Sequence, residues 1–293
     1  MKNDSAHHVT QDPWPYKFSL ARRLSGLRDP RHLMAVLLKR TRLAPLFTMI
    51  TSDDVKLRFF PSSVSTEIWE KKDRSGSDRE FLKRYLKPGD VYVDVGANIG
   101  YLAIVASRKV TASGRAIAFE ANPRVFRFLE HNVALNKLTN VTAYHLAAGA
   151  EEGSVDVLEC PGDDSQSCVA HGDGATPVPM VRLDAMLKHE QKISLLKIDV
   201  EGYEKFVIEG ARGVLNRVEA IYFEYYARNY SRYGYSGATL VDVLQQEGFR
   251  TYRLREDACS LVGTDESSTD CENFIAVRDE QDFFSRTGYV FRT

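Results

Sequence analysis

Acidic residues stand at the ends of two apolar runs in the second half of the chain. The first run ends in the alternating charged residues Lys197, Asp199 and Glu201, and the second ends in Glu224. Period-two alternation along a β-strand puts the first three on one face. Charges at the end of a central strand are costly unless they are paired or functional. We therefore predict that Asp199, Glu201 and Glu224 are catalytic. A strand end neutralised by Lys197 is the structural alternative.

A glycine turn follows the first predicted strand of this region. Gly96 lets the backbone turn sharply and approach a ligand without a Cβ in the way. Gly100 stands where the next helix begins, and the N–H groups at a helix N-terminus attract an anionic group. A carboxylate such as Asp94 suits an ammonium group. The predicted cofactor-binding residues of the turn are Asp94, Gly96, Ala97, Asn98 and Gly100.

The next predicted strand ends in Glu120, which is followed by Ala121. Both residues are predicted to bind the cofactor, as is Asp199. An acid about twenty residues after the glycine turn can accept hydrogen bonds from both hydroxyls of a ribose, so the pattern indicates an adenosine-containing cofactor. A dinucleotide requires Gly-x-Gly-x-x-Gly, but Asn98 and Tyr101 occupy the second and third positions. S-adenosylmethionine is therefore favoured over NAD. An NAD-linked oxidoreductase and a non-catalytic nucleotide-binding module are the alternatives.

Strands and helices alternate along most of the chain, which predicts an α/β fold with a mostly parallel sheet and helices on both faces. A capping box, Ser77-Asp-Arg-Glu80, predicts a helix start, and Asn122-Pro123 predicts another. The segment 151–179 is predicted to be an insertion or a hairpin. The predicted strands are 91–95, 116–120, 141–146, 193–198, 220–224, 249–254 and 274–277, and the predicted helices include 101–109, 123–135, 203–215 and 240–247.

The N-terminal region has a lopsided charge. Residues 17–42 contain eight basic residues and one acid, with leucines at helical spacing. We interpret residues 1–52 as a tail and a basic helical extension that packs on a catalytic domain of residues 53–293. Peripheral contact with an anionic membrane or a glycolipid is the alternative interpretation.

A tyrosine-rich segment follows the strand that ends in Glu224. It contains five tyrosines and two arginines within residues 225–235. Aromatic rings stack on sugar faces and Arg pairs with acidic groups, so Tyr226, Arg228 and Tyr230 are predicted to bind the acceptor. The alternative is an ordinary connection whose tyrosines cap the sheet.

The composition excludes some classes of protein. With 39 basic and 40 acidic residues the net charge is −1, so the whole-molecule charge gives no argument for a nucleic-acid partner. No apolar run approaches the ~20 residues that span a bilayer, and the N-terminus lacks the apolar stretch of a secretory signal. Four cysteines without a Cys-x-x-Cys pair favour reduced thiols and a cytoplasmic protein.

Four motifs together resemble the FkbM family of methyltransferases: Val-Asp-Val-Gly-Ala-Asn-Ile-Gly, Phe-Glu-Ala-Asn-Pro, Arg-Leu-Asp, and Leu-Lys-Ile-Asp-Val-Glu-Gly-Tyr-Glu. The resemblance implies a Rossmann-like, seven-stranded sheet and S-adenosylmethionine as methyl donor. It also implies a hydroxyl acceptor on a sugar, glycolipid or secondary metabolite. By position in the motifs, Asp94, Gly96, Asn98, Gly100 and Glu120 would bind the cofactor, and Asp199 would lie nearest the transferred methyl group.

An alcohol attacks better as its proton leaves, so this reaction gains from a base within hydrogen-bond reach. Asp199 is the first candidate for that base, followed by Glu201 and Glu224. A divalent cation shared by Asp199 and Glu224 would acidify the hydroxyl directly. This second hypothesis is less favoured because the sequence offers no clear third ligand.

Overall fold

The central strands of the chain are buried along nearly all of their length because both of their faces are covered. All six residues of the strand Ile193–Ile198 are buried, as are four of the five residues of Val91–Val95. Strands of this kind occur in parallel sheets that carry helices on both faces. The computed structural model describes residues 30–40, 44–71, 76–160, 163–169, 174–255, 258–262 and 271–291.

The elements follow one another in an alternating order. The strands are β1 (Thr48–Ile50), β2 (Lys56–Arg58), β3 (Val91–Val95), β4 (Arg115–Phe119), β5 (Val141–Tyr144), β6 (Ala147–Ala148), β7 (Gly153–Cys160), β8 (Asp163–Val169), β9 (Thr176–Val181), β10 (Ile193–Ile198), β11 (Val218–Tyr225), β12 (Arg250–Leu254), β13 (Ala258–Leu261), β14 (Glu272–Val277) and β15 (Val290–Phe291). The helices are α1 (Pro30–Arg40), α2 (Ser63–Lys71), α3 (Gly76–Tyr85), α4 (Tyr101–Val110), α5 (Pro123–Leu135), α6 (Leu183–Met186), α7 (Glu204–Glu209), α8 (Arg212–Leu215), α9 (Ala227–Ser231), α10 (Gly237–Gln246) and α11 (Glu280–Thr287).

The main sheet has the strand order β15-β13-β12-β14-β11-β10-β3-β4-β5. β5, β4, β3, β10 and β11 are parallel, and β14 is antiparallel to both of its neighbours. The seven strands from β5 to β12 confirm the predicted Rossmann-like, mostly parallel sheet. β13 and β15 extend it to nine strands, and β15 has only two residues, too few to show a period in the sequence.

Helices cover both faces of the sheet. Alternate residues of β10 enter different apolar clusters because successive side chains of a strand point to opposite faces. Leu196 packs with residues of α7, α8 and α10, such as Val207. Leu195 packs with residues of α3, α4 and α11, such as Phe81. The carboxyl ends of β3, β4, β10 and β11 are thereby held at one edge of a rigid layer.

Local signals set several helix ends. α5 begins as predicted, since the Asn122 side chain accepts hydrogen bonds from the backbone N–H groups of Arg124 and Val125. The predicted capping box is wrong, because α3 begins at Gly76 and Ser77 lies inside it. The predicted helix 203–215 is divided into α7 and α8.

That division follows from a close approach of two backbones. A Cβ on Gly210, between the two helices, would lie 1.9 Å from the carbonyl oxygen of Gly149. Such a contact is open only to glycine.

The segment 151–179 contains most of a second, smaller sheet with the order β6-β9-β7-β8. β7 and β8 form an antiparallel hairpin with a register shift between Glu159 and Cys160. β8 is the edge strand of this sheet. The predicted hairpin is therefore present, and it belongs to a sheet that packs beside the main one.

The N-terminal residues that the structure describes pack on the main domain. Ala35 and Leu38 of α1 share an apolar cluster with Ile104 of α4. Leu33 and Leu37, two of the leucines that stand at helical spacing, are 48% and 57% exposed. The predicted boundary between residues 52 and 53 lies in the turn between β1 and β2, which pair with each other.

Residues 17–29 and 41–43 of the basic segment lie outside the described residues. Among the helices that the structure describes, none combines the length and apolar character needed to cross a bilayer.

A buried asparagine joins β2 to the main domain. Asn132, on α5, has no exposed surface. Its Oδ1 accepts from the Arg58 N–H at 2.9 Å, and its Nδ2 donates to the Ile99 carbonyl at 2.9 Å. One side chain thus satisfies two backbone groups far apart in the sequence.

We expect Asn132→Ala to lower the free energy of unfolding by about 2 kcal/mol, because both backbone groups lose their partner in a buried setting. Asn136→Ala is the matched control, since Asn136 bonds the backbone of Lys56 on the same strand at a more exposed position. Urea unfolding followed by circular dichroism measures both losses. Equal losses would contradict the assigned role of Asn132.

Candidate active site

A cleft opens at the carboxyl ends of β3, β4, β10 and β11. Ligands of open α/β sheets bind at this edge. Most of the residues predicted from the sequence line it, namely Asp94, Gly96, Ala97, Asn98, Glu120, Ala121, Asp199, Glu201 and Glu224. The topology therefore brings together residues that are up to 130 positions apart in the sequence.

The glycine turn after β3 packs directly against the end of β10. Gly96 has φ +79°, and a Cβ on it would lie 1.9 Å from the Asp199 carbonyl oxygen. Glycine is required there by a neighbouring backbone, in addition to any ligand. Gly100 also has a positive φ, +84°, and a Cβ on it would meet the Leu129 side chain at 3.1 Å. It packs the start of α4 against α5.

Glu120 is held in place by two backbone donors. Its Oε2 accepts from the Asn98 N–H and its Oε1 from the Asn122 N–H, both at 2.8 Å. Burial raises its pKa to about 7, although both N–H groups act to lower it. Each carboxylate oxygen has further lone pairs. The fixed carboxyl group can therefore also accept hydrogen bonds from a pair of hydroxyls.

The buried ammonium of Lys197 lies among three groups at the strand ends. Its Nζ is 3.1 Å from Asp94 Oδ1, 3.4 Å from the Gly96 carbonyl and 3.4 Å from Asp199 Oδ2. Burial acts to lower the pKa of Lys197, but the two carboxylates outweigh it and raise that pKa above its ordinary value. Lys197 therefore neutralises part of the negative charge at these strand ends. This agrees in part with the structural alternative given in the sequence analysis.

Asp94 has its charge partner within the chain. It has no exposed surface, and burial raises its pKa despite the ion pair with Lys197. Its prediction as the partner of a ligand ammonium stays a prediction.

Asp199, Glu201 and Glu224 form one cluster. One carboxylate oxygen of each lies within 4.8 Å of the others. The Asn229 side chain donates to Glu201 at 3.0 Å, and the Cys271 thiol donates to Glu224 at 3.1 Å. Glu201 thus lies where a third ligand of a cation would be needed. From the sequence, only Asp199 and Glu224 were predicted for that role.

The surroundings of this cluster favour the protonated state of two of its members. Burial, followed by the charges of Asp199 and Glu204, raises the pKa of Glu201 to about 8. Burial and the neighbouring acids raise the pKa of Glu224 well above its usual range. Carboxyl groups that titrate near neutral pH are suited to exchange a proton with a ligand.

Sequence reasoning missed two groups that line the cleft. Asp78, from the N-terminal turn of α3, accepts from Tyr222 Oη at 2.6 Å and from Asn273 Nδ2 at 2.8 Å. Ser167, Cys168 and Val169 of β8 line the opposite side, a group contributed by the small sheet. Neither group stands at the end of a predicted strand. The acids of the sequence analysis were identified by that position.

The tyrosine-rich segment does not form the predicted wall. Tyr230 is 1% exposed, and its hydroxyl donates to the Glu224 carbonyl at 2.6 Å. Its predicted contact with the acceptor is corrected to support of the loop from within the core. Tyr226 is half-buried and Arg228 is exposed, and neither is among the residues that line the cleft.

We expect the free energy of unfolding of Glu201→Gln to fall less steeply with rising pH than that of the wild type. The folded protein binds the Glu201 proton more tightly than the unfolded chain does, with a pKa of about 8 against an ordinary 4.5. The resulting stabilisation is present below pH 4.5 and is lost as the pH rises through about 8.

Thermal unfolding at several pH values from 5 to 9 checks this expectation. Glu130→Gln, at an exposed position of α5, is the control that should retain the wild-type slope. Parallel curves for Glu201→Gln and the wild type would contradict the assignment.

Comparison with known proteins finds methyltransferases among the relatives of this chain. Over 175 residues the chain is 27% identical to the hexuronic acid methyltransferase AglP of Haloferax volcanii, covering 58% of this chain and 70% of that protein. It is 28% identical over 148 residues to Methyltransferase 1 of Beauveria bassiana, covering 42% of this chain and 59% of that relative.

A SAM-dependent O-methyltransferase from Thermotoga maritima is a structural neighbour with a TM-score of 0.42 and 17% identity, covering 80% of this chain and 78% of that one. Residues 94–251, more than half of the chain, match the methyltransferase FkbM domain. This chain belongs to the FkbM methyltransferase family.

Proposed function

We propose that the protein transfers a methyl group from S-adenosylmethionine to a hydroxyl group of a sugar-containing acceptor. The observation that carries the proposal is the cleft itself, in which a fixed acid at the end of β4 stands beside a cluster of acids at the ends of β10 and β11. The first suits the ribose of the donor, and the second suits a hydroxyl that loses its proton. Membership of a methyltransferase family supports the same assignment.

The residues of the donor half fit S-adenosylmethionine. Glu120 would hold the ribose hydroxyls, with Ala121 beside the base and the turn from Gly96 to Gly100 along the methionine part. When bound, the donor supplies a methyl group on a sulfonium, which is already a good leaving group. The chain's own contribution is to position the acceptor and to exclude water. NAD is disfavoured because Asn98 and Tyr101 replace two of the three glycines of its motif.

An acid at the strand ends would accept the proton that the acceptor hydroxyl loses. Asp199 is 43% exposed, so it can meet a ligand. Glu201 and Glu224 lie close to Asp199, but their raised pKa values favour the protonated form, so Asp199 is the member of the cluster that accepts the proton. Lys197 already places a positive charge 3.4 Å from Asp199. For that reason we propose proton acceptance by Asp199, and not a divalent cation, as the way in which the hydroxyl is activated.

The chemistry of the cleft limits the group that the acceptor presents. Among the described residues that line it, the acids are Asp78, Asp94, Glu120, Asp199, Glu201 and Glu224, and the cation is Lys197. A neutral hydroxyl fits this surface, while an anionic group would be repelled by ionised acids. The printed name of one relative, a hexuronic acid methyltransferase, supports a sugar acceptor. We therefore propose a small-molecule or glycan acceptor, not a nucleic acid, that turns a hydroxyl toward the acids.

We expect isothermal titration to show binding of S-adenosylhomocysteine and no binding of NADH. Glu120→Gln should weaken the binding of S-adenosylhomocysteine about tenfold, because charge-assisted hydrogen bonds to the ribose are lost. Glu130→Gln again serves as the control. Binding of NADH with the tighter affinity would overturn the proposed donor.

We expect Asp199→Asn to lower methyl transfer about a hundredfold while the affinity for S-adenosylhomocysteine changes less than about threefold, because a base acts mainly in the transition state. The assay measures S-adenosylhomocysteine released with a panel of neutral and uronic saccharides. Asp242→Asn, at an exposed position of α10, is the control. Wild-type turnover of Asp199→Asn would reject the role of Asp199, and loss of wild-type activity in EDTA would reject activation without a cation.

A further inference from the structure

The outer edge of β8 borders the donor half of the cleft. β8 is the last strand of the small sheet and pairs only with β7 within it. Its residues Ser167, Cys168 and Val169 line the cleft. An edge strand presents backbone N–H and C=O groups that its own sheet does not satisfy.

A contact of Val169 shows which backbone groups of β8 point outward. The Val169 carbonyl accepts a hydrogen bond from Tyr233 Oη at 3.1 Å, so it faces away from β7. In an antiparallel pair, alternate residues point both backbone groups away from the partner strand. Ser167 shares the orientation of Val169, while Cys168 faces its partner Leu158. The Ser167 carbonyl and the Val169 N–H therefore point to the same side of β8, away from β7, as a neighbouring acceptor and donor.

Asn122 joins this edge to the acid that we propose for the ribose. Its backbone N–H donates to Glu120 Oε1 at 2.8 Å, and its side-chain Nδ2 donates to Ser167 Oγ at 3.1 Å. This link puts β8 close to Glu120, within reach of a base attached to that ribose. Ala121 and Leu146 also line the cleft and offer apolar surface to the faces of a flat ring. One polar edge between apolar walls is the arrangement that a nucleobase requires.

A charged contact holds the hairpin in this position. Glu159 of β7 accepts from Arg124 Nη2 at 3.0 Å and from Asn122 Nδ2 at 2.5 Å. Burial acts to raise the pKa of Glu159, but the hydrogen bonds from Arg124 and Asn122 outweigh it and lower that pKa. The carboxylate thus stays ionised and fixes β7, and with it β8, to the start of α5.

We propose that β8 recognises the adenine of the methyl donor through its backbone. The Ser167 carbonyl accepts from the 6-amino group of adenine, and the Val169 N–H donates to N1. Hypoxanthine carries a donor at N1 and an acceptor at O6, so it presents the opposite pattern to the same two groups. This inference rests on the proposed function, because it takes S-adenosylmethionine to be the donor.

Three ligands test the recognition in the full chain by isothermal titration. S-Inosyl-L-homocysteine reverses the pattern on the recognised edge, and we expect it to bind at least about tenfold more weakly than S-adenosyl-L-homocysteine. The 7-deaza analogue of S-adenosyl-L-homocysteine keeps N1 and the 6-amino group. It should bind within about threefold of S-adenosyl-L-homocysteine.

Two variants at one position locate the donor group. Val169→Pro removes the N–H, and proline is tolerated where the N–H of an edge strand points outward. We expect it to weaken S-adenosyl-L-homocysteine about tenfold and to reduce the preference over the inosyl analogue. Val169→Ala keeps the N–H and should keep that preference.

Hydrogen exchange on the wild-type protein gives a second measurement that does not depend on the folding of the proline variant. S-Adenosyl-L-homocysteine should slow exchange of the Val169 amide, and the inosyl analogue at equal saturation should slow it less. Equal protection by both ligands would overturn the inference.

The outcomes separate this inference from the function on which it rests. Binding of S-adenosyl-L-homocysteine without discrimination against the inosyl analogue would overturn the role of β8 and leave the proposed donor standing. If Val169→Pro keeps the preference for S-adenosyl-L-homocysteine over the inosyl analogue, that role is also overturned, because other groups must then recognise the base. No binding of S-adenosyl-L-homocysteine to the wild type would instead overturn the proposed function.

Discussion

The buried ammonium of Lys197 is the interaction on which the rest of the site depends. β3 and β10 are parallel neighbours in which Lys197 stands opposite Asp94, so the sheet itself delivers several charged groups to one place. Without a cation there, Asp94 and Asp199 would repel each other in a setting that water screens poorly. The ammonium contacts both carboxylates and the Gly96 carbonyl. It therefore joins the glycine turn to the acid cluster and allows both to occupy the same cleft.

Features that depend on neighbouring residues in the chain could be predicted from the sequence. β10 was predicted with its observed bounds because four of its six residues are apolar and the segment ends at charged residues. The start of α5 was predicted because Asn122 and Pro123 act within one turn of the helix. The acids of the cleft could also be found, since the carboxyl ends of parallel strands must meet at one edge of the sheet.

Features that depend on distant parts of the chain were missed or misread. Asp78 belongs to the site only because Tyr222 and Asn273, far along the chain, hold its carboxylate. The pattern of the capping box matched by chance around it. Tyr230 was misread because its type suits a binding surface equally well as a core, and only the packing of the loop decides between them. Gly96 was predicted correctly as a tight turn, yet part of the reason is the Asp199 backbone beside it.

The pairing of β1 with β2 has a consequence for shortened forms of the protein. β1 is the strand that covers one edge of β2, and Met49 of β1 lies in the same apolar cluster as Leu57 of β2. A chain that starts at residue 53 would leave the β2 edge and part of that cluster bare. Bare strand edges recruit other chains and promote aggregation. β1 therefore serves as a protective cover for the edge of β2 in the methyltransferase domain.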